Sequence, residues 1–379
     1  MPLILNDGQA MIQDAARGFL AERAPISELR RLRDGRDSDG LSRDLWRAFG
    51  EMGFAGVLIP EAHGGSGLGA VEAGVIAEEI GRTLAPSPFL SSAVLAARAL
   101  LEAGSADQQA EHLPGIAAGE RIVALAVDEG PKHAPARTAL NAVRAGNGWR
   151  LDGAKGFVVD GHVADALVVV ARTAGAPGEA EGLTLFLVDP KTAGLTIERT
   201  VMVDAHNAAR IAFDNVAVGA DAVLGEVDGG SGPLERVLDT GRAVVAAEMV
   251  GAGAEAFGRT VDYLKTRKQF GKLIGEFQAL QHRAAHLYAE IEITRAAVLA
   301  ALQKLDADPG GAALAVAVAK ARAGRTAELA VQEAVQMHGG VGMTDEVDIG
   351  LYMKRVRVTQ ELLGDAAFHA DRVARLLGY

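Results

Sequence analysis

The chain has 379 residues, no cysteine and a formal net charge of -11. The missing cysteine excludes disulfides, thiolate nucleophiles and Cys-ligated metals, and the acidic balance argues against nucleic acid as a partner. Nearly half of the residues are apolar and few are aromatic. This composition favours closely packed helices over a large β-sandwich.

The first residues, MPLILNDGQ, contain neither a basic stretch nor a long apolar core, so they do not predict a signal peptide. No apolar run reaches the length of a membrane span. The segment from Ala312 to Ala319 is among the longest, and Lys320 ends it. We therefore expect a soluble, cytoplasmic protein.

The first third of the chain carries helix start signals. Asn6 or Asp7 is placed to cap a first helix and Ser42 a second, and Ser105-Ala-Asp-Gln108 has the pattern of a capping box. These patterns predict a helical N-terminal domain over residues 1–120.

One loop in this domain resembles a dinucleotide-binding loop. Gly65-Ser-Gly-Leu-Gly69 follows an apolar run and precedes a helix. A Rossmann site also needs a second strand that ends in a ribose-binding acid, whereas Glu78 and Glu79 lie within the helix itself. A tight surface loop is the better interpretation.

From Arg121 onward the sequence changes to short β-rich runs separated by Gly, Asn and Asp turns, with a hairpin turn at 145–148. Several short strands without helices between them predict a small antiparallel barrel or sandwich over residues 121–226.

The remainder, residues 227–379, reads as long helices at about 234–268, 276–306, 311–337 and 347–377. Four helices with short connections predict an antiparallel bundle. The fold class is therefore α+β and multidomain: an N-terminal α-helical domain, a middle β-barrel or sandwich, and a C-terminal four-helix bundle.

Two segments of the predicted bundle indicate a large anionic ligand. RKQFGKLIGEFQALQH places Arg267, Phe270 and Gln278 between two helices, and a guanidinium there suits a pyrophosphate. The alternative is that these cations interact only with the helix dipole. The glycines of Gln336-Met-His-Gly-Gly340 either let a ligand approach the backbone or merely cap a helix.

Two further patterns bear on chemistry. Asp239 and Arg242 lie at i, i+3 on the first bundle helix, where they form a surface ion pair or face the nucleotide part of a substrate. His338 has no partner at metal-ligand spacing, so no metal site is predicted.

These segments resemble the acyl-CoA dehydrogenase family over nearly the whole chain. The segments that show the resemblance are LDTGRAVVAAEMVGAGAEAFGRTVDYLKTRKQFGKLIGEFQALQH, FDNVAVGADAVLG and QMHGGVGMTDE. The resemblance implies FAD, a tetramer built as a dimer of dimers, and α,β-dehydrogenation of an acyl-CoA thioester. A carboxylate would remove the α-proton while the cofactor takes the hydride, and an electron-transferring flavoprotein would accept the electrons.

In this family each FAD lies between two subunits. By match, one subunit would hold the ADP part of FAD through Arg267, Gln269, Phe270, Ile274, Phe277, Gln278, Gln336, Gly339 and Gly340. The other would surround the flavin ring and the thioester. Phe157 would pack on the ring there, and Asp239 and Arg242 would face the substrate.

The segments of this chain that would surround the flavin ring and the thioester depart from the family pattern. The usual Thr-Glu-Pro…Gly-Ser-Asp loop reads AVDEGPKHAPA, and the flavin-flanking strand reads Lys155-Gly-Phe-Val-Val159, in which Val159 has no hydroxyl to donate. The usual position of the catalytic Glu falls on Gly364, and a rarer position falls on Gly241.

Asp365, next to Gly364, is the predicted catalytic base. Glu248 lies about 10 Å beyond Gly241 along the helix, which is far for direct proton transfer, so a buried or paired carboxylate is its simpler interpretation. The sequence thus leaves two functions open. Either the chain is an active dehydrogenase, or it is a partner subunit that lends the ADP-binding half of the FAD site within a heterotetramer. A flavin monooxygenase is a third possibility without positive support.

Overall fold

The computed structural model describes residues 2–379. The chain divides into two compact units. One, the helical unit, comprises Met1–Arg31, Ala70–Ala85 and Arg242–Tyr379. The other, the sheet unit, comprises Leu32–Gly69 and Pro86–Gly241.

Helices make up most of the two ends of the chain, and a π-helix at Phe89–Ala96 precedes the fifth α-helix. The α-helices of the described residues are α1 (Asp7–Arg23), α2 (Ile26–Asp34), α3 (Arg43–Glu51), α4 (Ala70–Thr83), α5 (Ala97–Ala103), α6 (Ala106–Ala117), α7 (Ser231–Thr266), α8 (Gln278–Ala307), α9 (Ala313–His338), α10 (Ile349–Glu361) and α11 (Ala366–Leu376). Across residues 2–379, none of them combines the length and apolarity that a membrane crossing requires.

The predicted helix starts are confirmed. The Asn6 side chain accepts a hydrogen bond from the Gln9 amide at the start of α1, and Ser42 accepts one from Leu45 at the start of α3. Ser105 and Gln108 form a reciprocal capping box at α6. Each cap satisfies backbone donors that the first helical turn leaves without partners.

The fourth predicted bundle helix, 347–377, is wrong as a single helix. It is two helices, α10 and α11, because Leu363 has φ 58° and Gly364 has φ 105°. A left-handed residue cannot continue an α-helix, so the chain turns there. Asp365 then caps α11 by accepting a hydrogen bond from the Phe368 amide at 2.8 Å.

The sheet unit contains an eight-stranded mixed sheet in the order β6-β7-β3-β2-β4-β5-β8, with β1 paired to β4. Its strands are β1 (Val123–Ala126), β2 (Asn141–Ala145), β3 (Gly148–Val159), β4 (Ala166–Arg172), β5 (Leu183–Val188), β6 (Leu195–Val201), β7 (Asn207–Val218) and β8 (Val223–Leu224). The β2–β3 hairpin turns at 145–148 as predicted. Trp149 and Phe186 pack edge to face at 5.6 Å within its core.

The prediction of an antiparallel middle domain is wrong in one respect, because β1 and β2 both pair with β4 in parallel. Parallel pairing needs a long crossover connection. The loop after β1 and the β2–β3 hairpin supply that connection between β1 and β4.

Two glycine contacts bring α4 and α7 together in the helical unit. A Cβ on Gly81 would lie 2.1 Å from the Glu248 carbonyl oxygen, and one on Gly251 would lie 1.8 Å from the Glu78 carbonyl oxygen. The two helices therefore touch backbone to backbone. In the sheet unit, Gly65 packs on the Ile59 carbonyl in the same way, consistent with a tight loop.

Candidate functional site

A short hairpin follows the end of α7. Its strands are β9 (Lys268–Gln269) and β10 (Lys272–Leu273), and the Ile274 amide donates to the Arg267 carbonyl at 2.9 Å. At the turn, Phe270 has φ 52° and Gly271 has φ 81°. Two positive φ angles are the geometry of a type I′ turn, which normally favours Asn or Gly at the first position.

Phe270 is therefore unusual in both conformation and exposure. A bulky aromatic in the left-handed region is strained. Its side chain is 91% exposed, so burial does not offset that strain. Phe277 lies edge-on to it at 6.2 Å, and the Lys272 ammonium lies 4.2 Å from the Phe277 ring. An exposed, strained aromatic that packs on a second ring, itself covered by a cation, indicates a ligand-binding surface.

The hairpin also carries positive charge. Arg267, Lys268 and Lys272 are exposed. Within residues 2–379 none of the three forms an ion pair with a carboxylate, although acidic residues outnumber basic ones, 49 to 38. Cations that the protein leaves without a carboxylate partner are available to an anionic ligand.

The glycine turn lies at the end of α9. Gly339 has φ 65° and ψ -144°, and both it and Gly340 are exposed. A Cβ built on either glycine meets no atom within 4 Å. The turn therefore presents bare backbone that a ligand can approach closely. Gln336, one turn earlier on α9, is exposed as well.

The structure brings the hairpin and the glycine turn together through a small shared core. Leu264 of α7, Ile274 after the hairpin and Met337 of α9 form one buried cluster, against which Phe277 packs. Predicted cofactor-binding residues from both segments therefore belong to one region of the helical unit. Gln269 on the hairpin and Gln278, the first residue of α8, are exposed in this region.

Phe157 lies at an irregular point of β3 in the sheet unit. The β3–β7 register shifts between Lys155 and Val158, Phe157 has φ 51°, and its side chain is 55% exposed. The Gly156 amide donates to the Asp128 carbonyl at 2.8 Å, which ties this point to the 127–135 loop. Its packing on a flavin ring remains a prediction.

The acidic side chains of the 127–135 loop accept hydrogen bonds that stabilise the loop. Glu129 accepts hydrogen bonds from the Ala139 and Leu140 amides and from the Lys155 ammonium, the last at 2.7 Å. Lys155 is fully buried, and that burial lowers its pKa to about 8. Asp128 accepts from the His133 imidazole at 2.9 Å. These carboxylates thus have structural partners within the sheet unit.

The turn at 361–365 offers no room for a side chain at Gly364, where the resemblance predicts the usual position of the catalytic Glu. Gly364 is buried with φ 105°. A Cβ there would lie 2.5 Å from Phe368 Cδ1 and 2.9 Å from His369 Nε2. Any other residue would strain the backbone and displace these rings.

A buried lysine fastens this turn. Lys320 Nζ donates to the carbonyl oxygens of Thr359 and Gln360 at 3.1 Å each and to that of Gly364 at 2.9 Å. Its side chain is only 1% exposed, and burial lowers its pKa to about 7. The three bonds cap the carbonyl end of α10 and fix the backbone that follows.

Two more buried groups converge on Leu363. Arg242 Nε donates to the Leu363 carbonyl at 3.3 Å, and its guanidinium lies 5.6 Å from the Phe368 ring centre. His369 Nε2 bonds the same carbonyl at 3.1 Å. Burial, together with the nearby Lys320 and Arg242 charges, lowers the pKa of His369 to about 2, so its imidazole is neutral.

Asp239 and Arg242 are both buried, at 5% and 0% exposure, so the interpretation as a surface ion pair is wrong. That a substrate faces them remains a prediction. Glu248 is confirmed as a buried, paired carboxylate: it accepts from Arg355 Nε at 2.6 Å. Asp365 is half-buried, and one of its carboxylate oxygens caps α11. Its role as the base remains a prediction.

Sequence reasoning missed Lys320 and His369. The available signal was a lysine that directly follows the apolar run 312–319 on the same helix. A charge on the buried face of an Ala-rich helix needs an internal partner. From the sequence alone, Lys320 is interpreted only as the end of the apolar run 312–319.

The described residues thus combine an N-terminal set of helices, a middle mixed sheet and a C-terminal set of long helices with an exposed cationic hairpin. Family models for acyl-CoA dehydrogenase match the N-terminal domain at residues 6–120, the middle domain at 128–216 and the C-terminal domain at 228–378. The chain belongs to the acyl-CoA dehydrogenase family, whose members are FAD-dependent oxidoreductases of acyl-CoA.

Individual proteins agree with this assignment. The chain is 32% identical to acyl-CoA dehydrogenase FadE12 of Mycobacterium tuberculosis over 327 residues, 84% of this chain and 83% of that protein. A solved structure of a variant of the Tcur3481-Tcur3483 steroid ACAD is 32% identical, with a TM-score of 0.88 over 98% of each chain. The ChsE4-ChsE5 complex from Mycobacterium tuberculosis is 26% identical, with a TM-score of 0.90 over 100% of this chain and 99% of that one.

The residues around the hairpin fit the ADP part of FAD. The cations have no carboxylate partner among the described residues, Phe270 is exposed, and the space beside Gly339 and Gly340 is open. A pyrophosphate needs positive charge, and an adenine needs an aromatic or apolar face. Both requirements are met in one region of the helical unit.

Proposed function

We propose that this chain is a FAD-binding subunit of an acyl-CoA dehydrogenase assembly, in which it holds the ADP part of FAD while a homologous subunit supplies the catalytic base. The observation that carries the proposal is Gly364, where the family's usual carboxylate position has no space for a side chain. The hairpin and the glycine turn, in contrast, retain the features that FAD needs.

The reaction is the removal of two hydrogens from Cα and Cβ of an acyl-CoA thioester. When bound, FAD supplies the hydride acceptor, and an electron-transferring flavoprotein is the proposed next acceptor. In this chain, Arg267 and Lys272 would neutralise the pyrophosphate, and Phe270 would cover the adenine. The open backbone at Gly339 and Gly340 would let the ligand lie close.

Removal of the α-proton needs a carboxylate within hydrogen-bonding distance of it. Loss of such a base slows a reaction by about 10²–10⁴-fold. Lys320, Arg242 and His369 instead fix the 361–365 backbone by donating to carbonyls of Leu363, Gly364 and the end of α10. A turn held in this way is suited to a structural role.

The paired names in two similar structures support a heteromeric assembly. Tcur3481-Tcur3483 and ChsE4-ChsE5 each name two chains. By analogy, we propose a heterotetramer of this chain with a homologue, acting in the cytoplasm on an acyl-CoA.

The test is flavin stoichiometry combined with anaerobic reduction. The chain is purified alone and with each co-expressed homologue, bound FAD per chain is measured, and a panel of acyl-CoAs is added without oxygen. We expect fewer FAD than chains in the complex, and bleaching of the flavin only when the homologue is present. A stable homotetramer with one FAD per chain that an acyl-CoA bleaches would contradict the proposal.

A second candidate is an independent dehydrogenase whose base is Asp365. Its half-buried carboxylate lies in the same turn as Gly364, which favours this alternative. Asp365→Asn keeps an oxygen that can cap α11 while removing a base. Asp365 is the base if two results are obtained. An acyl-CoA reduces the FAD bound to the chain alone, and in the variant, with FAD still bound, the rate of that reduction falls about 10²–10⁴-fold.

A further inference from the structure

Tyr263 and His338 form a parallel ring stack that neither the predicted FAD contacts nor the 361–365 turn uses. Their ring centres lie 4.4 Å apart with an interplanar angle of 21°. Tyr263 is on the last turn of α7, and His338 is the last residue of α9. The stack therefore joins the ends of the two helices from which the hairpin and the glycine turn begin.

His338 is fixed in this position. Its side chain is buried, and Nδ1 bonds the Ala334 carbonyl one turn earlier at 2.7 Å. That bond makes Nδ1 the protonated nitrogen of the neutral ring and sets the ring plane. On the other side of the stack, the amide of Arg267, the first cation of the hairpin, donates to the carbonyl of Tyr263, four residues earlier, at 2.9 Å.

The glycine turn packs against the last turn of α9. Gly339 follows His338 directly, and a Cβ on Gly342, near the end of the glycine turn, would lie 2.8 Å from the Val335 carbonyl oxygen and 3.0 Å from His338 Cβ. Between them, a Cβ on Gly339 or Gly340 would meet no atom within 4 Å. The exposed backbone is therefore held at its start, where the Gly339 amide donates to the Gln336 carbonyl and His338 is the last helical residue before the turn.

We propose that the stacked Tyr263–His338 pair is a positioning element that sets the distance between the cationic hairpin and the Gly339–Gly340 turn, and thereby the affinity for the adenosine diphosphate part of the cofactor. This inference rests on the proposed ADP-binding role of the chain. Neither ring needs to touch the ligand, because the pair acts through Arg267 on one side and Gly339 on the other.

The size of the effect follows from the stack. Aromatic pairs of this kind contribute about 0.5–1.5 kcal/mol beyond burial, which corresponds to roughly a two- to tenfold change in a dissociation constant. Because the two rings act as one unit, removing the second after the first should weaken binding little further.

The experiment measures dissociation constants for FAD and for ADP with the full chain, in the assembly in which it purifies. The variants are His338→Ala, Tyr263→Ala, the double variant and His338→Phe, which preserves a stacked ring. Tyr288→Ala is the matched control, because Tyr288 also pairs with an aromatic ring, Phe257 at 6.3 Å, but lies on α8 outside the hairpin core. Thermal unfolding of each variant verifies that it folds.

We expect both alanine variants to bind FAD and ADP roughly two- to tenfold more weakly. The double variant should be no more than about twofold weaker again, and Tyr288→Ala should bind like the wild type. His338→Phe keeps a ring but loses the bond to the Ala334 carbonyl, so it should bind more tightly than His338→Ala. Wild-type affinity in a folded His338→Ala variant, or strictly additive losses, would overturn the inference alone. Failure of the wild-type chain to bind either ligand would overturn the proposed function together with it.

Discussion

Gly364 is predicted to accept no other residue. Gly364→Ala would place a Cβ 2.5 Å from Phe368 Cδ1 in a backbone with φ 105°. A non-glycine residue in so sparsely populated a region costs about 1–3 kcal/mol, and overlap in a packed region typically adds about 1–3 kcal/mol. We expect the free energy of unfolding to fall by roughly 3 kcal/mol.

Urea unfolding followed by far-UV circular dichroism suits this measurement, because Gly364 lies in the helical unit. Gly258→Ala is the matched control: Gly258 lies within α7 and a Cβ there meets no atom within 4 Å. That variant should be stabilised by about 0.5–1 kcal/mol, as is usual for Gly→Ala within a helix.

Gly364→Glu extends the same argument to catalysis. The added carboxylate would need the space that Phe368 and His369 occupy. We therefore expect a destabilised protein whose bound flavin is reduced by no acyl-CoA. The reasoning is refuted if Gly364→Ala unfolds within about 0.5 kcal/mol of the wild type, the range of an ordinary surface substitution. It is equally refuted if Gly364→Glu folds normally and its flavin is bleached by a thioester.

Three further predictions follow from individual side chains. Phe270→Asn should raise the free energy of unfolding by a few tenths of a kcal/mol or more, because Asn tolerates a left-handed backbone. The same variant should bind FAD roughly tenfold more weakly, as measured by flavin fluorescence. Equal affinity would contradict a binding role for Phe270. His369 has its pKa lowered to about 2 by burial and nearby positive charge, whereas an unfolded histidine titrates near 6.5. Below pH 6.5 the unfolded chain therefore binds a proton that the native chain does not, and stability should fall by up to about 1.4 kcal/mol per pH unit through this group as the pH drops toward 2. His369→Gln should show a shallower acid dependence of its urea midpoint between about pH 4.5 and 7, and an unchanged slope would count against a buried neutral imidazole. Lys320→Met would leave three buried carbonyls without their donor, so we expect a loss of roughly 3 kcal/mol and faster amide exchange in residues 361–368. Unchanged exchange in that segment would show that Lys320 does not hold the turn.

Local signals in the sequence predicted the features that depend on neighbouring residues. The caps at Asn6, Ser42 and Ser105 each bond an amide three residues away, so a short sequence pattern contains the whole interaction. The connection around Phe270 and Gly271 is similarly local: the sequence predicted a break between two helices there, and the structure shows a hairpin that turns within a few residues. Such features need no knowledge of tertiary packing.

Features that depend on distant residues were not predictable in this way. The helical pattern continues through 347–377, and only the structure shows that Leu363 turns left-handed between α10 and α11. Lys320 bonds carbonyls 39 to 44 residues further along the chain. The burial of Asp239 and Arg242 likewise depends on packing that an i, i+3 spacing does not reveal.

The glycine contacts between α4 and α7 limit how this part of the chain can diversify. At Gly81 and Gly251 the helices meet through carbonyl oxygens, atoms that every amino acid possesses. The carboxylates of Glu78 and Glu248 are buried beside these contacts and pair with Arg295 and Arg355. A substitution that removes one charge of such a buried pair leaves the other charge uncompensated. Both the helix spacing and the charge at this interface are therefore constrained, and any new substrate preference must arise elsewhere in the chain.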